Sequence, residues 1–343
     1  MRRPDGYLTA RRFWTLCVAA AVVWLAGGLA CLFWGQMAIP PSEVVAVLRG
    51  RAVSEEARSV VLMLRVPRVL LALLAGGALA VAGAVFQALL RNPLATPHTL
   101  GVSAGGGLGA VTAIALGVRG PSIGPLTPVQ FFALLGAMAI VGIIYVLARR
   151  REAFAPLKLL LAGVTLGMIC SALTMFVRFA AEPQKLVVAD RWLMGGLSVH
   201  GFGSVAAILP LLVPGVAFLM DLAGPLNQLS MGEEVAAGRG VDVAALQARA
   251  FLVGSVLTAA VVSVAGPIGF VGLIVPHLVR GLFGPDHRTL LSLSFFGGGL
   301  FLAAADTVAR SAFAPSELPV GVLTAMIGGP LFLVLLVSLT RYR

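Results

Sequence analysis

The chain has 343 residues, 59% of them hydrophobic and only 11% charged, where a soluble domain carries about a quarter charged residues. That balance excludes a soluble globular protein and indicates an integral membrane protein seated in the lipid bilayer. The formal net charge of +11 would point to nucleic acid in a soluble chain. Here the basic residues stand between apolar runs with no aromatic-basic module, so topology and membrane-surface contact explain them and nucleic acid is not an expected partner.

In chain order, the basic segment MRRPDGYLTARRFW precedes an apolar run over 13–34. This run is too long for a signal-peptide core and lacks a convincing cleavage site, so it reads as a retained first helix with a cytoplasmic N-terminus. Further runs of spanning length fall at 66–90, 98–118, 129–149, 156–178, 196–220, 245–263, 267–283, 289–309 and 317–339. The expectation is an all-α polytopic membrane protein of about ten transmembrane helices, with residues 1–343 as one transmembrane domain. The run at 267–283 holds Gly266-Pro267 at its start and Gly269, Gly272 and Pro276 inside it. It is expected to be broken or partly re-entrant, which the bilayer tolerates only under a protein cover. An even number of spans returns Arg341-Tyr342-Arg343 to the cytoplasm.

With both termini inside, the basic residues Arg2, Arg3, Arg11, Arg12, Arg91, Arg149, Arg150, Arg151, Lys158, Arg239, Arg249, Arg280, Arg288, Arg341 and Arg343 fall on the cytoplasmic side, as the positive-inside rule requires. Arg49, Arg51, Arg58, Arg65 and Arg68 break the rule by clustering around the first outer loop. Between the sixth and seventh runs lies the polar stretch NQLSMGEEVAAGRGVDV, residues 227–243. Gly232 breaks the chain, Glu233-Glu234 opens a short helix in keeping with the helix dipole, and Gly238 and Gly240 close it.

The chemistry that is missing narrows the function. No GxxxxGK[ST] loop is present, and GGGLG at Gly105–Gly109 lies inside an apolar helix, where small residues serve close packing. His98, His200, His277 and His287 show no paired metal-ligand spacing, no nucleophile elbow occurs, and Cys17, Cys31 and Cys170 form no CxxC. An enzyme is therefore not expected, nor a metal or cofactor held by this chain. Arg68, Arg178, Asp306 and Glu317 stand near the outer ends of their runs rather than at the midplane. That placement disfavours the alternative of an ion-coupled secondary transporter of a small solute, which would place ionisable relays at mid-membrane. Arg178 is the only ionisable residue at the outer end of the fifth run, with Met175 one turn before it. A guanidinium and a thioether there could contact an anionic chelate or a flat macrocycle, so both are candidates for a translocation path. An arginine snorkelling to the interface is the plainer alternative.

Several segments carry a resemblance: LRVPR at Leu64–Arg68, NPLA at Asn92–Ala95, LGVSAG at Leu100–Gly105, the 227–243 stretch, SVAGPIGFVGLIVPHLVR at Ser263–Arg280 and AADTVARSAFAPSELPVG at Ala304–Gly321. Together they closely resemble the FecCD-type family of permeases of bacterial ABC importers for siderophores, haem or cobalamin. The resemblance implies a type II importer fold with an inverted repeat relating helices two to five to helices seven to ten. The sequence itself hints at this, since helices two and seven both begin with Arg-bearing segments and are followed by a Gly/Pro hinge. It implies a homodimer in the bacterial inner membrane, with the substrate path along the two-fold axis. Two ATPase subunits, carrying the ATP and Mg, would bind the cytoplasmic face, and one periplasmic-type binding protein the outer face. In the family's coupling loop the matching positions are Gly232, Glu233, Ala236, Ala237 and Gly240, with Glu234 beside them; Gly238-Arg239 departs from the frequent Leu-Gly. Arg65, Arg68 and Arg310 match positions that pair with glutamates of the binding protein. Arg65 and Arg68, three apart, would share one partly exposed face.

Overall fold

A computed structural model describes residues 9–118, 120–149, 156–312 and 316–340. The basic residues Arg2, Arg3, Arg119, Arg150, Arg151, Arg341 and Arg343 lie outside the described residues. The described chain is almost wholly helical. Helix α1, Ala10–Cys31, starts where the Thr9 hydroxyl accepts from the amide of Arg12. The short helices α2, Pro41–Leu48, and α3, Glu55–Ser59, follow, and α3 runs through a π-helical turn, Val60–Arg65, into α4, Val66–Leu89. Then come α5, Val102–Ala115; α6, Pro128–Arg149; α7, Pro156–Ala180; and α8, Pro183–Leu193. The remainder comprises α9, Gly203–Asp221; α10, Ala223–Leu229; α11, Glu233–Gly238; α12, Val243–Ala265; α13, Val271–Phe283; α14, His287–Ser311; and α15, Val320–Thr340.

Among the described residues 7 helices are long and apolar enough to cross a membrane, and the shorter apolar helices α5, α13 and α15 complete the set. They fall on the runs expected from the sequence, with three differences. The second helix begins about three turns earlier than its apolar run, because Glu55–Arg65 continue it. The third shrinks to α5 because Pro97–Leu100 form a tight 3-10 turn and Gly101 adopts φ 77°, a left-handed conformation open to glycine. The sixth starts only at Gly203, after an irregular segment from Gly195 to Phe202. The expected break in the eighth run is present: Gly266 has φ 66° and Phe270 φ 68°. The following α13, 13 residues long, covers about 20 Å at 1.5 Å per residue, less than the hydrocarbon thickness.

The two halves mirror one another. In α4 to α7 the lengths are 24, 14, 22 and 25 residues, and in α12 to α15 they are 23, 13, 25 and 21. A long helix, a short one after a break, then two long ones recur in the same order. The packing exchanges in the same way: α4 lies against α14 and α13, α12 lies against α6 and α5, and α4 and α12 meet each other. These two are the centre of the bundle, whereas α1 and α7 have few buried residues. Glycine makes the central contacts possible. A Cβ on Gly83 would overlap the main chain of Gly272, one on Gly76 that of Gly298, and one on Gly105 that of Gly136. Lipid tails give helices no hydrophobic reason to associate, so close backbone approach of this kind is what holds such bundles together.

Candidate functional site

Polar side chains gather at the two ends of the bundle. At the end where α4 begins, the Met63 carbonyl finds no donor four residues on, where Pro67 lacks an N–H, and accepts instead from the amide of Gly201, 2.8 Å away. This ties the α8–α9 loop to the start of the long helix. Arg65 closes the π turn and turns inward: Nη1 donates to the Leu32 carbonyl at 2.8 Å and Nη2 to the Met37 carbonyl. Arg310 of α14 donates from Nη2 to the Cys31 carbonyl at 2.7 Å. Both arginines are 3% exposed. The expectation of a partly exposed face is corrected for Arg65, and Arg310 is buried with it, because the chain from Cys31 to Met37 folds over both and the carbonyls of Cys31, Leu32 and Met37 accept from them. Nor do Arg65 and Arg68 share partners. Arg68 gives Nε and Nη2 to Asp306, both at 2.9 Å, and Nη1 to Glu317 at 3.0 Å.

Around this cluster opens a cavity of about 890 Å³, whose lining includes Arg65, Arg68, Arg191, Arg310, His200 and Glu317. Four guanidiniums face it, against the carboxylate of Glu317 in the wall and that of Asp306 behind Arg68, so the cavity is net positive. Asp306, Glu317 and Arg191 went unassigned at the sequence level. The partner of Asp306 and Glu317 stands far away in the chain; only their place at the ends of apolar runs pointed to these two, and nothing pointed to Arg191.

At the opposite end, α11 stands where the glycine pattern placed it. Gly232, with φ 130°, precedes it; Ala236 is fully buried, its carbonyl accepting from the amides of Arg239 and Val241; and Gly240, with φ 86°, reverses the chain into α12. Glu234, Ala237 and Gly240 face outward, beside the exposed apolar side chains of Met231 and Val235. Glu233 is engaged within the chain instead: its carboxylate pairs with Arg91 at 3.3 Å and accepts from Gln247 at 3.3 Å. The turn after α4 is thereby tied to α11, a link that the NPLA segment alone did not reveal. One helix earlier, Asn227 clasps the start of α14, donating to Asp286 at 2.9 Å and accepting from the amide of His287 at 2.8 Å.

On α7, Met175 and Phe176 are exposed, with Phe179 beyond them. Arg178 is not a free charge there: Nη2 pairs with Asp190 of α8 at 2.7 Å. Within the fifth run Arg178 is the one ionisable residue at this end, and a carboxylate of the next helix meets its charge. The described residues hold no group of three or more His, Cys, Asp or Glu that could bind a metal.

The FecCD transport family matches residues 22–338. The chain belongs to that family. Among its relatives, the cobalamin import system permease protein BtuC of Halobacterium salinarum is 44% identical over 284 residues, 83% of this chain and 75% of the relative. The hemin transport system permease protein HmuU of Yersinia pestis is 39% identical, covering 82% and 84%. The Fe(3+) dicitrate transport system permease protein FecD of Escherichia coli is 37% identical, covering 89% and 93%. A solved metal-chelate type ABC transporter in an inward-facing conformation superposes with a TM-score of 0.83 at 29% identity, over 94% of this chain and 99% of its own. This FecCD chain is thus a membrane-embedded permease subunit of the ABC transporter class and not an enzyme.

Proposed function

We propose that this FecCD chain is the permease of an importer for an iron chelate (a siderophore complex or haem) or for cobalamin, working as a homodimer in the inner membrane with both termini in the cytoplasm. The end bearing α11 faces the cytoplasm and receives two ATPase subunits, one per protomer, which carry the ATP and Mg. The end bearing the Arg68 cavity faces outward and receives one solute-binding protein there, with Arg68 as the docking arginine and the buried Arg65 and Arg310 adding positive charge behind it. Met175 and Arg178, at the outer end of α7, border the substrate path between protomers. There the Arg178–Asp190 pair sets a polar rim around exposed thioether and aromatic surface, suited to a flat or greasy chelate.

The observation that carries this reading is α11, a 6-residue helix held beyond the spanning helices between two glycines and offering Met231 and Val235 to a partner. Buried Ala236 and the Glu233–Arg91 pair fix the helix to the bundle, so force on its exposed face is passed to α4 and α12. Val235→Asp and Gly240→Trp should abolish co-purification with the ATPase while the permease elutes from a sizing column as before. Undiminished co-purification of both variants would contradict the reading.

A further inference from the structure

The two carboxylates that neutralise Arg68 are held unequally. Asp306 is 1% exposed and occupies both Nε and Nη2. Glu317 engages only Nη1, and its side chain is 21% exposed. Removing Asp306 would strand a buried guanidinium, whereas water can reach and stabilise a displaced Glu317. Arg191 of α8 stands nearby. It lines the large cavity and also a cleft of about 30 Å³ that it shares with Arg68 and Glu317. No ion-pair or hydrogen-bond partner holds its side chain among the described residues.

We propose that Glu317 is an exchangeable counter-ion: an acidic side chain of the docking solute-binding protein takes the Nη1 edge of Arg68, and the displaced Glu317 carboxylate passes to Arg191. The inference rests on the docking reading above and adds Arg191 and Glu317 to the docking site. The charges balance. Arg68 keeps two carboxylates throughout, and the added negative charge is met by a cation that had none. Both ends of the exchange sit on elements that are already joined. Glu317 leads through Leu318-Pro319 into α15, where the amide of Gly321 donates to the carbonyl of Gly195 at 3.1 Å, just past α8. Asp190, the neighbour of Arg191, grips Arg178 at the end of α7. Movement of Glu317 towards α8 therefore bears on the helix that the proposed function places beside the substrate path.

The test uses the whole permease–ATPase complex in lipid nanodiscs, with the substrate-free solute-binding protein of the same importer as probe and binding followed by biolayer interferometry. Glu317→Gln removes the competitor and should tighten binding by roughly threefold or more, the scale of a partly exposed ion pair. Arg191→Ala should weaken binding to the otherwise unaltered permease, yet change nothing in the Glu317→Gln background, where no carboxylate needs a new partner. An equal loss from Arg191→Ala in both backgrounds would mean direct contact with the partner and would overturn the exchange. So would a Glu317→Gln variant that binds no tighter. Glu317→Asp, which keeps the charge but shortens its reach to Arg68, should also bind more tightly, and it carries the test if Glu317→Gln fails to assemble with the ATPase. Arg68→Ala separates the two claims: if it leaves binding unchanged, the docking reading itself fails, whatever Glu317 does.

Discussion

Arg68 shows how a charge is kept at the end of an apolar bundle. Desolvating a guanidinium costs several kcal/mol unless opposite charge and hydrogen bonds meet it. Asp306 meets it with two short bonds from a nearly solvent-free position; Glu317 meets it from the cavity wall. The two carboxylates therefore contribute differently to stability. Asp306→Ala should cost about 3–5 kcal/mol, the range for breaking a buried pair, and lower the unfolding temperature in detergent. Glu317→Ala should cost about 1 kcal/mol or less. Equal falls in unfolding temperature would show that burial does not set the strength of these pairs. None of this was legible locally. Arg68 and Asp306 are separated by 238 positions and Arg68 and Glu317 by 249, and no periodicity in one segment reports its partner in another. Family resemblance marked Arg65 and Arg310 but not their burial, because main-chain carbonyls are the same in every sequence.

Among the elements, the spanning helices were readable because a run long enough to cross the bilayer has no other stable use. The break before α13 was readable because Gly266-Pro267 interrupts an otherwise apolar run. The shortening of α5 was not, since LGVSAGGGLG stays apolar through the turn that ends at Gly101. Nor were α2, α3 and α8, which are too short to carry a spanning signal. The glycines inside the helices were legible as packing residues in kind, but not in partner. The structure supplies those partners, and with them a prediction. Gly83→Val and Gly76→Val should each cost about 1–3 kcal/mol or more through overpacking, since the main chains of Gly272 and Gly298 cannot yield as a flexible side chain can. Gly142→Val, where a Cβ meets nothing within 4 Å, is the control and should retain the parent's unfolding temperature. If all three variants unfold alike, the α4–α13 and α4–α14 contacts are not what holds the bundle.

Over the whole molecule, the two polar ends are joined by helices that run between them. At one end α4 starts beside Arg68; at the other, the turn that follows it supplies Arg91 to Glu233 of α11. In α14 the start is clasped by Asn227 and the far end carries Asp306 and Arg310. A chain with ionisable groups at both ends of such rods, and none seen at mid-membrane in the sequence, is suited to being driven from outside itself rather than by ions passing through it. The most direct test is uptake into proteoliposomes containing the permease with and without its ATPase. Ferric citrate, haem and cobalamin would be offered in turn with the solute-binding protein. Accumulation of one of these chelates is expected only when the ATPase and ATP are both present, and not under an imposed proton or sodium gradient. Accumulation driven by such a gradient, by the permease alone, would contradict the account.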